Sequence, residues 1–265
     1  MSIIDSRLFV VAITGMVGYV NAAPLQICVD KVPNPPFVYS EKIQGAGKLR
    51  GYSLDVVKKA LSQIAVPYAI KTLSAAEINK KIQSPLPNAG CDIVLDVERG
   101  SLSDSTVLLT QSIYRLHFDL VYNWEVYMTG LDAKNLADVN KFKVCGVKGV
   151  NYGAVAKNLK IHELNSIKDV MFNIKSKECD VFVAEGVLMR YGQRANQYQV
   201  PPVGCVRLAG TEKSYHFAIA KHVPNAVEIH TKLQQALNMM NSDLIVLADE
   251  YDVNPIRCQQ SFNVN

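Results

Sequence analysis

The chain has 265 residues, 49% of them apolar and 20% charged, with a net charge of +4. That length holds one large domain or two of roughly 100–150 residues, each with a full core. The composition excludes disorder, and a charge this small without a basic block excludes a nucleic-acid footprint.

At the N-terminus, Arg7 precedes the apolar stretch Leu8–Val20, and small residues follow at Ala22 and Ala23 before Pro24. Charged start, apolar run and small-residue site are the pattern of a cleaved signal peptide over residues 1–22. The run is shorter than the roughly 20 residues a membrane anchor needs. The mature chain is therefore expected in the periplasm.

After it, "LQICVD" reads as a strand and "KVPNPPFVYSE" as a proline-rich loop. In "GKLRGYSLDVVKKALSQI", Leu54, Val57, Leu61 and Ile64 recur at helical spacing. "YAIKTL" reads as a strand, and "SAAEINKKIQS" as a helix capped by Ser74 with Glu77 at the capping-box position. "CDIVLDV" is an apolar strand of the doubly covered, parallel kind.

The second half repeats this plan. "FKVCGVKG" is a strand, "NYGAVAKNL" a helix start, "IHEL" a strand, and "SIKDVMFNIKSK" a helix with Ser166 as cap. "CDVFVAE" then echoes "CDIVLDV". Alternating strands and helices, written twice, predict two Rossmann-like α/β lobes. The aromatic segments "LTQSIYRLHFDLVYNWEVYMTG" and "GTEKSYHFAIAKHV" read as two extended hinge segments joining them. "NAVEIHTKLQQALNMMNSDLIVLADEYDV" reads as helical, with Val227, Leu233, Leu237, Met240 and Leu244 on its apolar face. The expected division is 24–122 plus 216–265 for the first lobe and 123–215 for the second.

Six cysteines follow the signal segment, an even number that suits an oxidising compartment. No CxxC or clustered His–Cys spacing points to a metal, and nothing points to a cofactor. The sequence does not choose among the possible pairings. The positions suggest Cys28–Cys91 and Cys145–Cys179 as matching staples, which leaves Cys205–Cys258; buried free thiols are the alternative.

Ligands of such sheets bind beyond the carboxyl ends of the strands. The candidates there are Asp30, Asn34 and Phe37 after the first strand, and Asp96, Glu98 and Arg99 after the echoed one. In the second lobe the backbone amides of Val150, Asn151 and Tyr152 open a helix and suit an anion, and Glu185 ends the echoed strand. Together they suit a zwitterion, with its carboxylate on the guanidinium and amides and its ammonium on the acid. Enzyme motifs such as GxSxG or GxGxxG do not occur, and a lone carboxylate such as Glu185 is weak support for acid–base chemistry. No catalysis is expected.

These residues carry a family resemblance. "PPFVYSE…GKLRGYSLDVVKKAL", "VERG…LLTQSIYRLHFDLVY", "VCGVKGVNYG", "CDVFVAEG" and "YHFAIAKHVPNAVEIHTKLQQAL" resemble, in order and spacing, the amino-acid type of periplasmic solute-binding proteins (family 3). The resemblance implies the type-2 periplasmic binding fold and capture of an amino-acid-like ligand for an ABC importer's permease by a monomer. It matches Arg99 to the family's carboxylate-binding arginine and Glu185 to its ammonium-binding acid. The loop between "CDIVLD" and "ER" is shorter than the family's. Val150-Asn151 stands where hydroxyl residues are common, and Asn34 where an aromatic is. A second resemblance, on Cys28, Cys91-Asp92 and "LADEYDVNP", is to solute-binding-like accessory proteins of quinoprotein methanol dehydrogenases, which implies a periplasmic dehydrogenase as partner.

Overall fold

The computed structural model describes residues 23–43, 46–86, 89–254, 257–258 and 260–264. The signal peptide expected over 1–22 lies outside them. In chain order the elements are β1 (Leu25–Asp30), β2 (Tyr39–Ile43), β3 (Ala46–Arg50), α1 (Tyr52–Gln63), β4 (Tyr68–Leu73), α2 (Ala75–Ile82), β5 (Ile93–Glu98), β6 (Val107–Leu109) and β7 (Tyr114–Leu116). There follow β8 (Phe118–Asn123), a 3-10 turn (Ala137–Lys141), β9 (Val144–Val147), α3 (Val155–Asn158), β10 (Ile161–Leu164), α4 (Ile167–Ser176), β11 (Val181–Glu185), α5 (Gly186–Arg194) and β12 (Val203–Ala209). The chain ends with β13 (Lys213–Ala220), α6 (Ala226–Met239), α7 (Asn241–Glu250) and β14 (Gln260–Asn263).

Two six-stranded sheets form. The first runs β4-β1-β5-β13-β6 with β7 also on β13, and the second runs β10-β9-β11-β8-β12-β14. Their cores correspond strand for strand. β1 lies parallel between β4 and β5, as β9 does between β10 and β11. One antiparallel strand closes each set, β13 on β5 and β8 on β11. The echoed phrases are therefore the equivalent strands β5 and β11. Each opens with an aspartate that pins a neighbouring strand: Asp92 accepts the Gln26 amide at 2.8 Å, and Asp180 the Lys143 amide at 2.8 Å.

Local sequence accounts for the helices. The capping box of Ser74 and Glu77 starts α2, and the Ser166 hydroxyl accepts the Asp169 amide to start α4. At α1 the cap is made by backbone. Gly51, at φ 132, lets the carbonyls of Pro36 and Phe37 come close enough to accept the Tyr52 and Ser53 amides at 2.9 and 3.1 Å. A Cβ there would sit 2.2 Å from the Phe37 carbonyl oxygen, so this entry to α1 needs glycine. Leu54, Val57 and Leu61 are fully buried, as the periodicity predicts. So are Leu233, Leu237 and Met240, whereas Val227 in the first turn of α6 faces solvent.

Sheet membership departs from the expected lobe bounds. The run Phe118–Asn123 is a fully buried central strand of the second sheet, not an extended hinge. The chain passes between sheets at His117 and again at Gly210–Glu212. These two crossings are tied together, because the Phe118 amide donates to the Thr211 hydroxyl at 3.0 Å. The chain end also changes sides, since β14 pairs with β12 in the second sheet. α5 follows the second sheet yet reaches the first lobe. Val187 joins the first core, Arg190 and Arg194 both bind the Asp252 carboxylate at 2.8 and 3.2 Å, and Tyr191 packs edge-on against Tyr39.

All six cysteines are paired as their positions suggest, Cys28–Cys91, Cys145–Cys179 and Cys205–Cys258. Loops of 63, 34 and 53 residues are closed, each stabilising by about 3–4 kcal/mol through chain entropy. The third staple holds the chain end against β12. Replacing Cys205 and Cys258 by serine is expected to lower the melting temperature by several degrees and to let trypsin cut after the exposed Arg257 at least tenfold faster. An unchanged cleavage rate would show that β14 holds without the staple.

Candidate functional site

The carboxyl ends of β1 and β5 open into a cavity of about 630 Å³. Its wall includes Asp30, Asn34, Asp96, Glu98, Ser101 and Tyr215, with Ala75, Ile78 and Asn79 of α2 opposite. That volume lies within the range of small-molecule pockets. All these lining residues belong to first-lobe elements.

Asp96 is placed by an irregularity. The pairing of β13 with β5 shifts register between His216 and Ala218, and Asp96 opposite takes φ 58. A bulge of this kind re-aims one side chain out of the strand's alternation. Asp96 accepts hydrogen bonds from the Ser53 hydroxyl at the start of α1 and from the Tyr114 phenol. Burial outweighs these donors and pushes its pKa up to about 6. Below it lies an aromatic stack. Phe37 and Tyr114 are 4.0 Å apart and Tyr114 and Tyr215 4.8 Å, all nearly parallel, with Tyr52 edge-on at 6.2 Å. Burial raises the Tyr52 phenol to about 12 and those of Tyr114 and Tyr215 further.

Glu185 comes from the other lobe, at the junction of β11 and α5. Burial raises its pKa, Lys213 and His117 oppose that rise, and Glu98 adds to it. Its charge in turn raises Tyr114, Tyr215 and Tyr152. The site therefore joins Asp96, Glu98 and the tyrosines of the first lobe to Glu185 of the second, with Lys213 and His117 on the crossings beside them. The Lys213 ammonium lies 5.6 Å from the Phe118 ring centre, and His117 lies 3.5 Å from the buried Asp119, which Arg207 pairs at 2.7 Å. Among the described residues no His, Cys, Asp and Glu cluster has metal-holding geometry.

Asp30, Asn34 and Asp96 line the cavity, while Glu185 is outside its lining and acts on Tyr114 and Tyr215 through its charge. The other candidates are rearranged. Phe37 is buried beneath Tyr114, in the core and not on the wall. Arg99 is exposed in the turn after β5 and is not among the cavity's lining residues. The shorter loop leaves it outside. The helix expected at Val150–Tyr152 starts later, at Val155, and is four residues long. The Val150 amide donates to the Val147 carbonyl, and the Tyr152 side chain is buried with its hydroxyl on the Val147 backbone. These positions form a turn that opens no helix, and of their three amides only that of Val150 has an acceptor among the described residues. Glu98 lines the cavity as well. Tyr215, Lys213 and His117 are additions, which depend on the strand register of β13 and on the crossings.

Asp96 costs the fold stability. Its folded pKa of about 6 exceeds the ordinary 3.8, so the protonated form stabilises fully below about pH 4, and that contribution is lost as pH rises through about 6. Asp96→Asn is expected to stabilise the protein by on the order of 2 kcal/mol at pH 7. Thermal melts between pH 4 and 7.5 should show the gain shrinking toward pH 4. A gain independent of pH would assign it to packing instead.

No family model and no curated protein matches this sequence. Solved structures match well. The YckB protein of Bacillus subtilis gives a TM-score of 0.70 at 15% identity, over 91% of this chain and 96% of its own. The L-cystine solute receptor of Neisseria gonorrhoeae, unliganded and open, gives 0.65 at 19% identity over 89% and 95%. An ancestral cationic amino acid solute-binding protein gives 0.65 at 17% identity over 86% and 95%. These comparisons lend no support to the resemblance to dehydrogenase accessory proteins. Two corresponding sheets, paired crossings and near-complete mutual coverage establish that the chain has the fold of the type-2 periplasmic binding proteins.

Proposed function

We propose that this protein is a non-catalytic solute-binding protein that captures a small polar ligand between its lobes and presents it to the permease of an ABC importer. The observation that carries this reading is the cavity at the strand ends of the first lobe, faced by Glu185 from the second. A ligand held by Asp96 and Glu98 on one side and Glu185 on the other gains contacts from both lobes only when they close. Such differential contact is what shifts a hinge equilibrium; equal affinity for both states would shift nothing. Closure bends the chain at His117 and Gly210–Glu212, next to Lys213. The protein works as a monomer outside the cytoplasm, in keeping with the signal pattern of residues 1–22 and the three disulfides.

Thermal shift and small-angle scattering against a panel of amino acids, amines and small organic acids test this. A ligand at 100 times its Kd should add about 2.7 kcal/mol of stability and reduce the radius of gyration. Glu185→Gln should weaken that ligand at least tenfold, and Arg99→Ala less than threefold. A panel without a single compound that both stabilises and compacts the protein would sink the reading.

A further inference from the structure

A receptor for amino acids must hold a carboxylate as well as an ammonium, and this cleft is furnished for one of the two. The cavity wall carries three carboxylates, Asp30, Asp96 and Glu98, and no Lys, Arg or His is among its lining residues. Glu185 adds a fourth from the facing lobe. Several of the donors that could hold an anion are engaged or displaced. Among the described residues only the Lys213 ammonium and the Asn151 and Tyr152 amides near the cleft are left without a hydrogen-bond acceptor. Arg99 is exposed in its turn. The amides at the start of α1 donate to Pro36 and Phe37, and in the turn after β9 the Val150 amide donates to Val147 and the Gly153 amide to Asn151. Of the two basic groups beside Glu185, His117 faces Asp119, and Lys213 lies against Phe118. A ligand carboxylate placed here would meet like charges in a site of reduced dielectric. An ammonium or guanidinium would meet carboxylates and the tyrosine stack, both of which attract cations.

We propose that the cleft selects a cationic amine or guanidine that carries no carboxylate. This rests on the solute-binding reading above and names the chemistry of its ligand. The acids act as a set. Asp96 and Glu98 receive one cationic end in the first lobe, and Glu185 receives charge from the second, so a ligand with two separated positive groups draws the lobes together.

Agmatine and L-arginine form the matched test, because they differ by the α-carboxylate alone. Calorimetric titration of the oxidised mature protein at pH 7.5 should find agmatine bound at least tenfold more tightly than L-arginine. Asp96→Asn and Glu185→Gln should each weaken agmatine at least tenfold while the melting transition stays cooperative. Agmatine stays doubly charged across neutral and acidic pH, so the pH profile reports the protein's acids. Asp96 is faced by Ser53 of α1 and Tyr114 of β7, and Tyr215 of β13 feels its charge together with those of Glu98 and Glu185. With its pKa at about 6, affinity should fall about tenfold between pH 7 and pH 5 as it gains its proton. Tighter binding of L-arginine, or of any neutral or acidic amino acid, would overturn the proposal and leave the solute-binding reading standing. Silence from agmatine, L-arginine and the whole amino-acid panel would overturn both.

Discussion

The structure depends on two of the chain's three passages between its sheets lying at nearly one place. β7 ends in the first sheet at Leu116 and β8 begins in the second at Phe118. The return crossing, Gly210–Glu212, is held against the first by the bond from the Phe118 amide to the Thr211 hydroxyl. Sheets joined through so narrow a waist must face one another across a cleft, and the carboxyl ends of β1 and β5 open there. His117 and Lys213 border the cleft because they belong to the waist. The same geometry seats Tyr215 beside Tyr114, since β13 leaves the crossing paired with β7.

Around that waist the two lobes solve one packing problem twice. In each, an apolar strand lies between one parallel and one antiparallel neighbour, is preceded by an aspartate that pins the parallel one, and is stapled to it by a disulfide. The lobes diverge at the far ends of those strands, where packing gives way to chemistry. β11 ends regularly and delivers Glu185. β5 is interrupted, and Asp96 leaves the strand's alternation to sit half-buried beside two hydroxyl donors. A carboxylate held where its charge is disfavoured is a standing cost to the fold. That cost falls at the one place where a ligand could offset it.

Much of the architecture was legible in the sequence. The echo of "CDIVLDV" in "CDVFVAE", the periodicity of α1 and the caps Ser74 and Ser166 are local signals, and local structure followed them. Two of the disulfides were suggested by cysteines at equivalent points of the repeat, and Cys205–Cys258 was what those two left. The hairpin of β2 and β3 was not, since its short polar strands lack a clear apolar alternation. β8 was read as a hinge because a buried central strand and an extended linker share an aromatic, β-branched composition. The site was half legible. Asp96 and Glu185 follow from their places at strand ends. Arg99's exposure and Phe37's burial are set by a loop's length and by a ring stacked from β7, which are tertiary facts.

The order in which the sheets draw on the chain has a kinetic consequence. The first sheet is incomplete until β13 arrives, and its core until α6 packs on it. The second waits for β14 and for Cys258, which follow every element of the first lobe. The second lobe cannot finish before the first has been made. Long-range closure of this kind makes folding slow compared with a chain of local contacts. A polypeptide so interleaved emerges from synthesis without a finished lobe, and remains threadable until the whole of it is present. That delay suits the export proposed above, in which the chain would cross a membrane before folding and form its three covalent staples on the other side.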